Sequence, residues 1–156
     1  MNLEHHYAVA TRWSGNRGTG TSGYRAYGRD GTVEAAGKHA IETSSDRAFF
    51  GDSDRWNPEE LLLAALSECH RLSYLHLATN AGVIVVDYED DAVATMVQTA
   101  DGGGHLSSAT LRPRVVVVDP AMIEAANALH HEASAKCFIA ASVNFPVGHE
   151  PTAVAR

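Results

Sequence analysis

Along residues 57–81, NPEELLLAALSECHRLSYLHLATNA, apolar positions recur on every turn of a helical projection. That pattern predicts a helix greasy enough to be buried on every side. Its start is written in Asn57-Pro58-Glu59-Glu60: an N-cap, a proline at the first helical position, then acids facing the positive helix end. Gly82 supplies a left-handed stop. A second helix is expected over 121–136, opened by Asp119-Pro120. Alternating or β-branched runs predict strands over 6–13, 19–27 and 32–36, a strand pair or one long bent strand over 83–98, and further strands over 107–118 and 138–147. Turn chemistry falls at 14–18, at Arg29-Asp30-Gly31 as an Asp-Gly hairpin signal, and at Gly102-Gly103-Gly104. The order β-β-β-α-β-β-α-β, with strands in groups, predicts an α+β fold with mostly antiparallel sheet.

Composition narrows the function classes. A chain of 156 residues with 45% apolar and 20% charged residues reads as one globular domain, 1–156. A net charge of −7 and the absence of any Lys/Arg cluster argue against nucleic acid as a partner. No basic-then-apolar leader and no apolar run of membrane length occur, so the chain reads as soluble and cytoplasmic. It has two cysteines, Cys69 and Cys137. In a cytoplasmic protein such a pair points to catalysis, redox chemistry or metal binding sooner than to a structural staple.

Cys69 stands in the run Glu68-Cys69-His70-Arg71 at the middle of the apolar helix. Desolvated charges are costly unless paired or used, so the run marks either a solvent-facing edge or reactive groups brought into the core. Cys137 closes the second helix, after Lys136. The plain alternative is that both are small buried hydrophobes, and a separation of 68 residues (137 − 69) lies outside any local motif. Cys69, His70, His76, His130, His131 and Cys137 are zinc-type donors, but no CxxC or HExxH spacing links them, and 69–70 and 130–131 diverge around their helices. No metal site is expected, and His130-His131 reads as helix surface with one ring half-buried. GxSxG is absent, and residues 15–20, GNRGTG, lack the P-loop Lys-Ser/Thr, so they read as a turn and no cofactor is expected.

The combination Asn57-Pro58-Glu59-Glu60-Leu61, Ala64-Ala65, Cys69 and a helix-end Cys137 resembles the OsmC/Ohr family of osmotically inducible and organic hydroperoxide resistance proteins. The resemblance implies curved antiparallel sheets wrapped around two central helices in an intertwined homodimer. It implies thiol-dependent reduction of organic hydroperoxides, with a lipoyl-type dithiol as reductant. By position, Cys69 resembles the attacking cysteine, Cys137 the resolving one, and Glu59 the acid that orients a catalytic arginine. That arginine comes from the N-terminal region, where Arg47 and Arg29 are favoured over Arg17. Glu59 and Cys69 are ten residues apart, about 15 Å along a continuous helix, so a site using both calls for a helix break or a second subunit. His70, where the better-known branches have Phe, and Phe138-Ile139-Ala140 depart from the family pattern. A non-catalytic member of the same fold, binding a small apolar ligand between subunits, and a zinc protein are the rival readings.

Overall fold

The computed structural model describes residues 3–156, which divide after Leu61 into two compact units. In the N-terminal unit, β1 (Ala10–Trp13), β2 (Gly31–Glu34) and β3 (Ile41–Thr43) form an antiparallel sheet in that order. Gly31 opens β2 opposite Trp13, so Asp30-Gly31 lies at the end of a long connection and not in a two-residue hairpin turn. The expected strand over 19–27 is a series of turns and bends. Its glycines explain this: Gly18 and Gly20 take positive φ (107° and 56°), and the Asn16 side-chain oxygen accepts from both of their N–H groups.

Helix α1 (Pro58–Asn80) follows without a break. Asn57 Oδ1 accepts from Glu60 N–H at 2.8 Å while Glu60 Oε2 accepts from Asn57 N–H at 3.2 Å, a reciprocal capping box. At the other end Gly82 (φ 71°) donates to Thr79 O and Val83 to Ala78 O, the Schellman pattern. Burial is narrower than expected. Leu66, His70, Tyr74, Leu77 and Ala78 form one buried stripe with i, i+4 spacing, whereas Leu72 is 59% exposed.

The C-terminal unit carries two more three-stranded sheets. β4 (Val85–Asp90), β7 (Pro113–Val117) and β9 (Thr152–Ala155) run in the order β4-β7-β9; β5 (Val93–Gln98), β6 (Gly104–Leu111) and β8 (Val147–His149) run in the order β5-β6-β8. The chain changes sheet at 91–92 and again at Arg112. Asp90 holds that corner, accepting from Arg112 N–H and from the Ser67 hydroxyl of α1. Four pairings are antiparallel, but β6 with β8 and β7 with β9 are parallel. Helix α2 (Ile123–Ala135) is preceded by a 3-10 turn at Pro120–Met122 that Asp119 caps. The main core joins Tyr74, Leu77 and Ala78 of α1, Val115 and Val117 of β7, and Ala126 and Ala133 of α2. The expected strand over 138–147 is instead a 3-10 turn, Ala140–Ser142, ahead of the short β8. Groups at the start of this segment bond locally, Ala141 N–H to Cys137 O, Ser142 N–H to Ile139 O and the Ser142 hydroxyl to Phe138 O, and bonding to β6 starts only at Pro146, whose carbonyl accepts from Ala109 N–H.

Candidate active site

Two helices bring the two thiols of the chain together. Cys69 sits half-buried at the middle of α1; Cys137 lies just past the end of α2 and is 2% exposed. The two thiols lie near enough to act on each other: burial first, and then the neighbouring Cys69 thiol, pushes the Cys137 thiol up to about 11. The turn after α2 wraps around this sulfur, with Ala140 N–H donating to Cys137 Sγ at 3.4 Å. Cys137 therefore stays a thiol at neutral pH while Cys69 is the more accessible partner.

Cys137 also lines an apolar cavity of about 600 Å³ between α1 (Leu72, His76, Leu77) and the segment after α2 (Lys136, Phe138). Phe138, 82% exposed, stands at its edge. The charges flanking Cys69 are accounted for at the surface. Arg71 Nη2 donates to Glu68 Oε2 at 2.6 Å, and this pairing holds the Glu68 carboxyl below its usual range.

His70 points the other way, into the core. It is fully buried, and its Nε2 lies 3.0 Å from Nδ1 of His130, itself 2% exposed. His130 is thus a core residue, not the half-buried surface ring expected. Tyr74 stacks on His130 at 4.0 Å between ring centroids and donates its hydroxyl to Ala126 O; His149 of β8 packs against His70 at 4.5 Å. Burial pushes His70 down to about 3 and His130 to about 4, with His149 adding to both shifts. No sequence signal linked these rings, since His70 and His130 are 60 positions apart. Among the described residues no group of His, Cys, Asp and Glu is arranged to hold a metal ion.

The N-terminal candidates are placed differently. Glu59, half-buried in the first turn of α1, has no hydrogen bond or ion pair among the described residues. Arg29 donates from Nη1 to Tyr27 O and from Nη2 to Tyr24 O, both at 2.7 Å, and lies over the rings of both tyrosines. Arg47 opens a 3-10 turn, Arg47–Phe49, and is exposed, as is Arg17.

A sequence profile of the family described as OsmC-like protein matches residues 51–150. No curated protein sequence matches the chain. Among solved structures, an OsmC-like protein of unknown function from Vibrio cholerae O1 superposes with a TM-score of 0.84 at 28% identity, over 95% of this chain and 99% of the other. An organic hydroperoxide resistance protein from Legionella pneumophila gives 0.69 at 19% identity, over 96% and 98%. Another, from Elizabethkingia anophelis, gives 0.67 at 18%, over 99% and 100%. At those last two identities the likeness is one of fold. No helix among the described residues is long and apolar enough to cross a membrane.

Proposed function

Because the chain belongs to the OsmC-like protein family, we propose that it reduces organic hydroperoxides through a two-cysteine cycle. The observation that carries this reading is that α1 and the end of α2 bring Cys69 and Cys137, 68 residues apart in sequence (137 − 69), near enough to act on each other. The Cys69 thiolate attacks the terminal peroxide oxygen of ROOH; the O–O bond breaks, the alkoxide leaves and takes a proton as ROH, and Cys69 becomes a sulfenic acid. The nearby Cys137 thiol displaces water from that sulfenic acid and closes a disulfide. A dithiol, of lipoyl type in this reading, then restores both thiols and is itself oxidised to its disulfide. The raised pKa of Cys137 suits the second role, since a protonated thiol does not compete for peroxide. The apolar cavity beside Cys137 supports an organic substrate or reductant over hydrogen peroxide.

Glu59 and an arginine complete the proposed machinery. A guanidinium stabilises the departing alkoxide and keeps its charge at any pH of interest. Arg29 is engaged by two carbonyls and Arg47 is not, so Arg47 is the freer of the two. α1 runs unbroken from Pro58 to Asn80, so the site draws Glu59 from a second copy, and the active species is a homodimer. The exposed Phe138 and Leu72 beside the cavity support a covering partner.

The test counts free thiols before and after a stoichiometric dose of cumene hydroperoxide, on the wild type and on Cys137→Ser. Loss of both thiols in the wild type, with a trapped sulfenic acid on Cys69 in the variant, is expected. Survival of both thiols removes the enzyme reading. The same cavity then favours the second one, a protein of this fold that binds an apolar ligand without turnover.

A further inference from the structure

Five arginines of this chain, Arg12, Arg55, Arg71, Arg112 and Arg114, reach a carboxylate. Among the described residues Arg17, Arg25, Arg29 and Arg47 form no such ion pair, and these four gather around one cavity of about 390 Å³ in the N-terminal unit, with Tyr27 and Phe50 as its aromatic walls. We propose that this cavity binds a phosphomonoester whose body is flat or apolar.

Clustered like charges repel, and with a net charge of −7 acids to pair them are plentiful. The nearby carboxylates are engaged elsewhere. Asp46 accepts from Ala48 N–H, and Asp30 faces Arg55 at 3.9 Å. Glu59 of a second copy, proposed above, would pair with one of the four and leave the others without a counter-anion; the guanidinium fork matches the oxygens of a phosphate two at a time.

The walls are held in advance of any ligand. Arg29 is clamped by the Tyr24 and Tyr27 carbonyls and covered by their rings; Arg25 lies over the Phe50 ring at 4.8 Å. Tyr24 meets Phe50 edge to face at 5.4 Å. Phe50 takes a positive φ of 63°, a backbone conformation a non-glycine residue adopts only when its surroundings enforce it. The chain is packed tightly at the next residue, where a Cβ on Gly51 would lie 1.6 Å from Ser45 O.

Size and charge choose the ligand class. A volume of 390 Å³ falls in the range of small-molecule sites, about 300–1,000 Å³, and exceeds what a lone phosphate ion fills. A dianionic phosphate offsets more of four positive charges than a carboxylate does, and the aromatic walls suit a planar or apolar body. Arg29 and Arg47 are also the arginines weighed above for the thiol cycle; the binding proposed here involves neither cysteine, and its test reads binding alone through Arg17 and Arg25.

Calorimetric titration of the full-length protein at low ionic strength tests it, with phenyl phosphate, inorganic phosphate and benzoate as probes. Phenyl phosphate is expected to saturate a single class of site, with inorganic phosphate and benzoate each about tenfold weaker or more. Arg17→Gln and Arg25→Gln, both at exposed positions, should each weaken phenyl phosphate by about tenfold with an unchanged far-ultraviolet spectrum. Arg114→Gln, outside the cavity, should leave it unaltered. Absence of saturable binding to the wild type overturns the proposal, as does affinity that survives the Arg17/Arg25 double substitution. Benzoate binding tighter than phenyl phosphate overturns the phosphate assignment.

Discussion

At the scale of single residues, the two sulfurs differ in access and in protonation. Cys137 is 2% exposed and its thiol is pushed up to about 11, whereas Cys69 is half-buried on α1. Iodoacetamide at about pH 7.5 should therefore alkylate Cys69 first, leaving Cys137 unlabelled until the protein is unfolded, because only a reachable thiolate reacts. Mass mapping of peptides over a labelling time course checks this; equal rates at the two positions would mean that the Cys137 thiol is neither shielded nor held protonated. Both cysteines were legible in the sequence as candidates, since a chain with two thiols offers few choices. Their proximity was not, because a 68-residue gap (137 − 69) carries no spacing rule. The arginines were legible only as a short list, for the same reason: which guanidinium is clamped by carbonyls depends on a loop path that glycine-rich sequence leaves open.

Among the elements, α1 was the most legible because its signals are local. Asn57 and Glu60 are three residues apart and meet in the capping box; Gly82 closes the helix through the Ala78 and Thr79 carbonyls. Asn57→Ala should cost about 1 kcal/mol, read as a fall in Tm of roughly 2–4 °C, and Asn57→Asp should recover most of it by restoring the acceptor. A loss of similar size in Asn57→Asp would show that something other than the cap is at stake. Where elements depend on distant partners, the sequence misled. Residues 19–27 have strand-like tyrosines and threonines, yet the segment's hydrogen bonds stay local, at Asn16 and between Ala26 N–H and Gly23 O. Residues 138–147 carry a β-branched pattern, but the turn around Cys137 uses up the backbone groups at its start, so pairing begins only at Val147. β9 and its parallel pairing with β7 join positions more than thirty residues apart, beyond what alternation along one segment can announce.

Across the whole C-terminal unit, His70 of α1 and His130 of α2 tie together the helices that carry the two cysteines, with His149 of β8 packed alongside. In either tautomer of the 3.0 Å contact, one buried N–H and one buried ring nitrogen, among His70 Nδ1 and His130 Nε2, have no protein partner. The pair is thus stable only while neutral, and its environment offers little to a proton: Tyr74 and Tyr88 are themselves held protonated by burial, and the one carboxylate acting on the cluster, Asp90, favours the charged form of His149 and already accepts from Ser67 and Arg112. The folded-state values, about 3 for His70 and about 4 for His130, lie below the ordinary 6.5 of the unfolded chain. Below 6.5 the unfolded state therefore binds protons that the folded state refuses. Stability is fully present above that pH and falls between about 6.5 and 4, by up to about 1.4 kcal/mol per pH unit for each ring. Exposed carboxylates such as Glu68, paired to Arg71, add to the loss only at lower pH, near their own range. The check is the unfolding midpoint in urea from pH 7.5 to 4.5, for the wild type and for a His70→Leu/His130→Leu double variant. The wild type should lose stability steeply below about pH 6.5; the variant, whatever its absolute stability, should show a flatter profile. A wild-type profile level across that window would mean the rings accept protons in place, and the helices would then be joined by something other than a neutral, buried histidine pair.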